Sequence, residues 1–427
     1  MADLFALSAE MIDRREVTGP TNRVTNELSE LADGLAMVES FSHVIAFRTA
    51  EGMVVFDTSS ALTGAGVTEA LRRWRTDPVH TIVYTHGHVD HVGGSGALVG
   101  DGRARGHRDP RVIGHDNVPV RMARYDLTNG WNLAVNARQF GGVNPVHRLG
   151  LTGGDARFLP ADTARCTDTY HDRLTVHVGD LEVQLRHARG ETDDHTWAWL
   201  PARRAVCVGD FITWVFPNAG NPQKVQRYPG EWAAALREMQ ALEPEVLLPA
   251  HGLPVAGRER IATLLGDVAG ALEHLVAEVL AMMNVGATLD EIVGTVRVDE
   301  GLLALPYLRP IYDEPEFVVR NIWRLYGGWW DGNPARLKPP CDSAVADEVA
   351  TLAGGAQALA RRALEVADAG DLRLACQLVE WAVQAAPDDR EAHDARAAVY
   401  GRRRQAELSL MAKGVFAAAA RESAERL

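Results

Sequence analysis

Cysteine is scarce in this 427-residue chain. The four present, Cys166, Cys207, Cys341 and Cys376, are widely scattered with no CxxC spacing; they suggest neither a disulfide framework nor a thiolate zinc knuckle and read as reduced thiols. Long apolar runs are missing too. None reaches 18 residues, so no membrane span is expected, and the opening Met1-Ala2-Asp3-Leu4-Phe5-Ala6-Leu7-Ser8 has neither a basic start nor a cleavage-like site. The expected location is the cytoplasm. Basic charge is in the minority: 44 Lys and Arg against 57 Asp and Glu leave a formal charge of -13, which would repel a phosphate backbone and argues against nucleic acid as a partner. No Gly-x-Ser-x-Gly elbow and no Ser-His-Asp set offers a side-chain nucleophile.

What the chain does have is a concentration of metal donors. The apolar run Thr81-Ile82-Val83-Tyr84 meets Thr85-His86-Gly87-His88-Val89-Asp90-His91-Val92 and then Gly93-Gly94, which reads as a strand ending in a loop. Three of the 15 histidines fall within six residues, with a carboxylate between them, the nitrogen and oxygen donors that borderline divalent metals prefer. If the loop leaves the strand extended, alternate residues point the same way, so His86 and His88 close on one ion while Asp90 and His91 face a second.

His86-Gly87-His88-Val89-Asp90-His91 resembles the HxHxDH signature of the metallo-β-lactamase-fold hydrolases. The resemblance implies an α/β fold, an αββα sandwich with a two-metal site on one edge, and further ligands downstream: a His after a strand, an Asp after another, and a His near the domain's end. The candidates in that order are His195 in Gly190-Glu191-Thr192-Asp193-Asp194-His195, Asp210 after Ala205-Val206-Cys207-Val208-Gly209, and His251 after Glu245-Val246-Leu247-Leu248-Pro249-Ala250. The implied sets are His86, His88 and His195 for one ion and Asp90, His91 and His251 for the other, with Asp210 shared. Two divalent cations, zinc expected although iron or manganese suits the same donors, would acidify water toward a pKa of about 7. The expected nucleophile is therefore metal-bound hydroxide, with Asp90 as the catalytic residue that orients it or accepts its proton. Asp57 closes the second strand of a hairpin turning at Glu51-Gly52, and the resemblance places it near the metals as a group orienting a ligand; a turn or cap role is the other reading.

Residues 121 to 142 are polar and aromatic with few aliphatics, which predicts a long irregular segment over the site. Its candidates for substrate contact are Tyr125, Asn132 and Arg138, while His107 and His115 read as surface histidines.

Beyond Gly257 the composition shifts to Ala, Leu, Glu and Arg. The pattern predicts a long helix over 257–284, another starting at a Thr288/Glu291 capping box, and an amphipathic helix from Val318 to Tyr326. Next comes Gly327-Gly328-Trp329-Trp330-Asp331-Gly332-Asn333-Pro334, which is similar to a motif in the dimerisation region of the alkylsulfatases, the sulfatase branch of the same superfamily. Residues 346 to 420 then read as three or four tetratricopeptide-like helices broken at Gly354-Gly355, Gly370-Asp371 and Ala386-Pro387-Asp388-Asp389. The resemblance implies a catalytic domain over 1–256, an all-α dimerisation domain over 257–427, a homodimer, and a small-molecule alkyl sulfate ester as substrate. Departures from that branch are expected to matter. Its members carry glutamates where His195 and Asp210 stand here, and an arginine for sulfate where this chain offers Lys224 and Arg227; a lysine is a point charge rather than a fork. The sterol-carrier-like C-terminal domain of the larger members is expected to be absent. A thioester or lactone hydrolase is the enzyme alternative, and a metal-free scaffold with a helical binding module is the non-enzymatic one.

Overall fold

The computed structural model describes residues 3–140 and 157–426. Seven strands form one sheet in sequence order: β1 (Glu27–Ala32), β2 (Leu35–Glu39), β3 (Val44–Thr49), β4 (Gly52–Phe56), β5 (Val79–Val83), β6 (Arg111–His115) and β7 (Asp168–Tyr170). Pairing is antiparallel as far as β4 and parallel from β4 to β7. The second sheet runs in reverse order from β13 (Val255–Ala256) through β12 (Val246–Pro249), β11 (Ala205–Gly209), β10 (Thr196–Leu200) and β9 (Leu181–His187) to β8 (Arg173–Val178). Only β11 and β12 pair in parallel there.

The sequence pattern explains the placement. Strands β4, β11 and β12 are nearly continuous apolar runs and are buried almost throughout, as strands covered on both faces must be. The β8–β9 hairpin alternates, and so does its burial. Phe47, Phe56, Val83 and Ile113 of one sheet share a core with Val183, Leu185, Trp197 and Val206 of the other. Helices α1 (Leu4–Arg14), α2 (Ala61–Trp74), α3 (Val89–Val92), α4 (Ser95–Ala104) and α5 (Asn117–Leu127) accompany the first sheet. The second is followed by α7 (Pro229–Ala241) and α8 (Arg258–Asn284), whose Ile261, Leu264, Leu265 and Leu272 enter the same core. This is the αββα sandwich.

The expected irregular segment is instead two helices, α5 and α6 (Asn129–Gln139); its residues 141 and 142 lie outside the described residues. The reason is periodicity concealed by polar residue types. Val118, Arg121, Met122 and Tyr125 are buried along α5, and Asn132, Val135, Asn136 and Gln139 along α6, each set spaced i, i+3, i+4, i+7.

The chain divides into two compact units: residues up to 130 with 157–329, and residues 131–140 with 330–426. By packing, the long helix α8, the capped helix α9 (Leu289–Thr295), α10 (Glu300–Leu303) and α11 (Pro315–Gly327) belong to the first unit. The composition shift at 257 marks a change from strands to helices, whereas the packing break falls at Trp329. Thr288 and Glu291 form the capping box. The second unit holds α12 (Asp342–Ala353), α13 (Ala356–Asp368), α14 (Leu372–Ala385), α15 (Arg390–Ala406) and α16 (Leu410–Ala424) around Leu359, Ala363, Val379, Ala392 and Val399. The three predicted breaks fall between helices. A fourth, capped by Ser409 without glycine or proline, makes five helices where three or four were expected. Most of α6 joins this unit because Gly414 of α16 meets its Gln139 carbonyl so closely that no side chain would fit. No helix among the described residues is long and apolar enough to cross a membrane.

Candidate metal centre

The site is built where strands end. β4 leads into Asp57, β5 into His86, β9 into Glu191, β11 into Asp210 and β12 into His251, so five loops meet along one edge of the sandwich. Asp57 ties the first of these together. Buried and held at φ 57°, it accepts the Thr85 N–H at 2.8 Å, the Thr85 hydroxyl at 2.7 Å and the His91 Nδ1–H at 2.8 Å. Those bonds fix the His91 ring and turn its Nε2 toward the other donors.

Seven side chains converge in two groups. The first holds His86, His88, Glu191 and Asp210, and the second Asp90, His91 and His251; within each, one donor atom per residue lies within 4.8 Å of the others. His86 Nε2 is 2.9 Å from His88 Nδ1 and 4.0 Å from Asp210 Oδ2, and His88 Nδ1 is 3.7 Å from Glu191 Oε1. On the other side His91 Nε2 is 3.4 Å from Asp210 Oδ1, and His251 Nε2 is 3.3 Å from Asp90 Oδ2 and 3.7 Å from Asp210 Oδ1. Asp210 thus offers one oxygen to each group. Ligands about 2.1 Å from a common tetrahedral centre stand about 3.4 Å apart, so these separations suit a divalent cation in each group. Two of the donors, His91 Nε2 and Asp210 Oδ1, are buried with no hydrogen-bond partner, the state a metal would relieve. One side is open: the side chains of His88, Asp90 and His251 keep 19%, 23% and 17% exposure while His86 and His91 keep none.

Charge is arranged to match. Burial, with His91 and His88 beside it, holds the His86 imidazole well below its ordinary range, which keeps it an unprotonated donor. Burial would push the Asp210 carboxyl up, but His91 and His251 outweigh it and hold the group well down as a carboxylate. Burial raises Glu191 well above the ordinary carboxylate range against the opposing Arg227.

His195 stands outside both groups. Its Nε2 accepts the backbone N–H of Asp210 at 3.2 Å, its ring stacks on Phe211 with centroids 4.2 Å apart, and so it braces the shared carboxylate from behind. Glu191, four residues earlier in the same turn, is the side chain grouped with His86, His88 and Asp210. The sequence carries a signal for it in the glutamates of the alkylsulfatase branch, but the spacing alone favours the histidine. The loop 217–227 secures this glutamate: Arg227 Nη2 lies 3.4 Å from its Oε1, a second Arg227 nitrogen donates to its carbonyl, and the Asn218 amide donates to its carboxylate.

The predicted substrate residues separate. Lys224, one of three lysines with Lys338 and Lys413, is half-buried with Nζ 5.8 Å from the Phe158 ring. Burial and Arg227 bring its amine down to about 8, while Asp90 and Glu191 act the other way, so it lies within electrostatic reach of both donor groups. Arg227 is fully buried and committed to Glu191. Tyr125 is buried edge-on against Phe158 with centroids 5.0 Å apart. Asn132, buried, and Arg138, exposed, lie on the part of α6 that belongs to the second unit. His115 is a core residue stacked on His187 at 3.6 Å rather than a surface one, while His107 is half-buried. Sequence reasoning also passes over Tyr312, whose phenol is raised by burial, with Glu191 and Asp90 adding to the rise.

The metallo-β-lactamase superfamily profile matches residues 38–251, half of the chain, and the alkyl sulfatase dimerisation profile matches residues 288–426. A linear primary-alkylsulfatase of Pseudomonas sp. (strain ATCC 19151) is 28% identical over 84% of this chain and 70% of its own length. An (R)-specific secondary-alkylsulfatase of Pseudomonas sp. is 26% identical over 80% of this chain and 54% of its own. The chain spans 51% to 70% of the length of the four curated relatives it matches. Among solved structures, the stereoselective inverting sec-alkylsulfatase Pisa1 from Pseudomonas sp. superposes with a TM-score of 0.81 at 22% identity, covering 94% of this chain and 66% of that one, a likeness of fold. By its profile match, the order of its strand-end donors and its αββα architecture, the chain belongs to the metallo-β-lactamase superfamily.

Proposed function

We propose that this chain is a metal-dependent hydrolase of sulfate esters, alkyl sulfates foremost, with two divalent cations per subunit and zinc as the ion. The observation that carries the reading is Asp210, whose oxygens serve opposite donor groups and one of which is buried without a partner, in a chain whose named relatives are alkylsulfatases. His86, His88 and Glu191 would hold one cation and Asp90, His91 and His251 the other. Bound there, the pair supplies water acidified toward a pKa of about 7.

The remaining roles follow from position. Asp90, on the open side, would orient the attacking water and take up its proton. Asp57 keeps the His91 ring turned inward. Lys224 and Tyr312 meet the sulfate group, the first as a point charge and the second through its hydroxyl. Arg227 holds Glu191 and leaves sulfate to them. Water adds across the ester bond to leave an alcohol and hydrogen sulfate. The thioester alternative draws on His195 as a ligand; its Nε2 is engaged by the Asp210 backbone N–H and the residue lies outside both donor groups, so the ligand set that would support that alternative is not assembled. The helical region from residue 288 supports a homodimer.

The test is release of inorganic sulfate from a medium-chain alkyl sulfate by the zinc-loaded protein, beside a His88→Ala control and a thioester substrate. Sulfate release that vanishes in the control supports the reading. Metal-dependent thioester cleavage with no sulfate release overturns it.

A further inference from the structure

A buried arginine on α5 takes no part in the chemistry just described, yet it lies directly behind the donors. The Arg121 Nε donates to Asp194 Oδ2 at 2.7 Å, another of its nitrogens donates to Asp193, and the side chains of Arg121 and Asp194 keep 2% and 0% exposure. The same Asp194 oxygen accepts the Gly87 N–H at 3.0 Å. Gly87 lies between His86 and His88, and Asp194 lies in the turn that begins with Glu191. The Asn117 amide, from the start of α5, donates to the Asp193 carbonyl at 3.0 Å and holds the turn a second time. The packing leaves no slack: a Cβ on Gly87 would stand 3.0 Å from both Arg121 Cδ and Asp194 Oδ2.

We infer that Arg121 is a positioning residue, a strut acting through Asp194 that sets the distance between the His86–His88 loop and the Glu191 turn, and thereby shapes one of the two cation sites. The physical reason is that the two loops share no strand pairing, β5 lying in one sheet and β9 in the other; the Thr196 N–H donates to the Thr85 carbonyl at 2.6 Å, but that tie sits at the end of the turn away from Glu191. Loops on separate sheets keep a fixed separation only if something rigid joins them. A guanidinium with two acidic partners is a planar fork with little freedom, and its charge makes both bonds strong. Asp90, His91 and His251 make no hydrogen bond to Arg121 or Asp194 among the described residues, so the effect falls mainly on the His86–His88–Glu191 site.

The inference rests on His86, His88 and Glu191 as ligands, so its test reads metal binding rather than turnover. Zinc is titrated into the full-length apo protein in competition with a chromophoric chelator, and the thermal midpoint of the apo protein is measured alongside. Arg121→Met alone strands the buried Asp194 charge, so the double variant Arg121→Met/Asp194→Leu, which removes both charges, is the main probe and Arg121→Lys the conservative one. We expect the double variant to bind one equivalent about 10- to 100-fold more weakly, as loss of an outer partner does, and the other as the parent does, with Arg121→Lys recovering part of the loss. Two equivalents of parental affinity would overturn the strut. So would equal weakening of both in step with a fallen apo midpoint, which is the signature of a merely structural ion pair. A parent protein that takes up no zinc overturns the metal centre itself and the strut with it.

Discussion

Asp313 gives the sharpest quantitative prediction, because burial is large and its partners are all backbone. It is completely buried; its Oδ2 accepts the N–H groups of Gly220 and Asn221 at 2.6 and 3.1 Å and its Oδ1 accepts that of Glu314 at 2.8 Å, so it anchors the start of the segment carrying Lys224 and Arg227. Burial pushes its carboxyl up from 3.8 to about 6, with the three backbone donors and Arg227 pulling back only part of the way. Between those two values the folded protein keeps a proton that the unfolded chain has released, so rising pH favours unfolding. The contribution is fully present below about pH 4 and lost above about pH 6. A shift of this size corresponds to roughly 3 kcal/mol at 1.36 kcal/mol per unit. Asp313→Asn cannot titrate, so the difference in stability between parent and variant must change by about that amount across the window, moving toward the variant as pH rises. In a unit of this size that is on the order of 6 °C in relative midpoint. The assay is thermal unfolding of both proteins at half-unit steps from pH 4 to pH 7.5. Parallel curves would refute the reasoning, and a difference moving toward the parent would show that the backbone donors, not burial, dominate.

Three further outcomes are expected. Glu191→Gln should retain one tightly bound zinc after dialysis and His195→Gln two, measured by elemental analysis; the reverse would restore the histidine as ligand. Lys224→Met should raise KM for an alkyl sulfate about tenfold or more, the worth of one charge-assisted hydrogen bond, with bound metal unchanged; an unaltered KM removes Lys224 from the sulfate site. Trp329 and Trp330, 72% and 36% exposed, should anchor the homodimer, so replacing both with serine should shift sedimentation toward the monomer while the circular dichroism spectrum is kept.

The candidate donors are largely legible in the chain because they follow strand ends, and strand ends are visible locally as an apolar run meeting glycine or a polar residue. His86, His88, Asp90 and His91 stand together in one such loop, while Asp210 and His251, which also follow apolar runs, are picked out by the resemblance rather than by their own spacing. Asp57 is legible the same way, although its three hydrogen bonds are not, since they come from residues 28 and 34 positions along the chain. Segment 121–139 misleads for the opposite reason: the side chains its helices bury include Arg121, Asn132, Asn136 and Gln139, polar residues that a hydrophobic pattern counts as surface.

By itself, the sequence determined the strands, the long helices, the HxHxDH loop and the family, since each depends on residue types close together in the chain. Tertiary structure decided the rest. Glu191 and His195 lie four residues apart in one turn, and both are metal-binding types. Which of them joins the other donors depends on the Asp210 backbone, which engages the imidazole Nε2, and on Arg227 and Asn218, which hold the carboxylate from 27 or more residues away. His115 is buried because His187, on the other sheet, stacks on it. That α8 packs with the sandwich, so that the compact units divide at Trp329, was decided by where its apolar face finds a partner, which composition does not show.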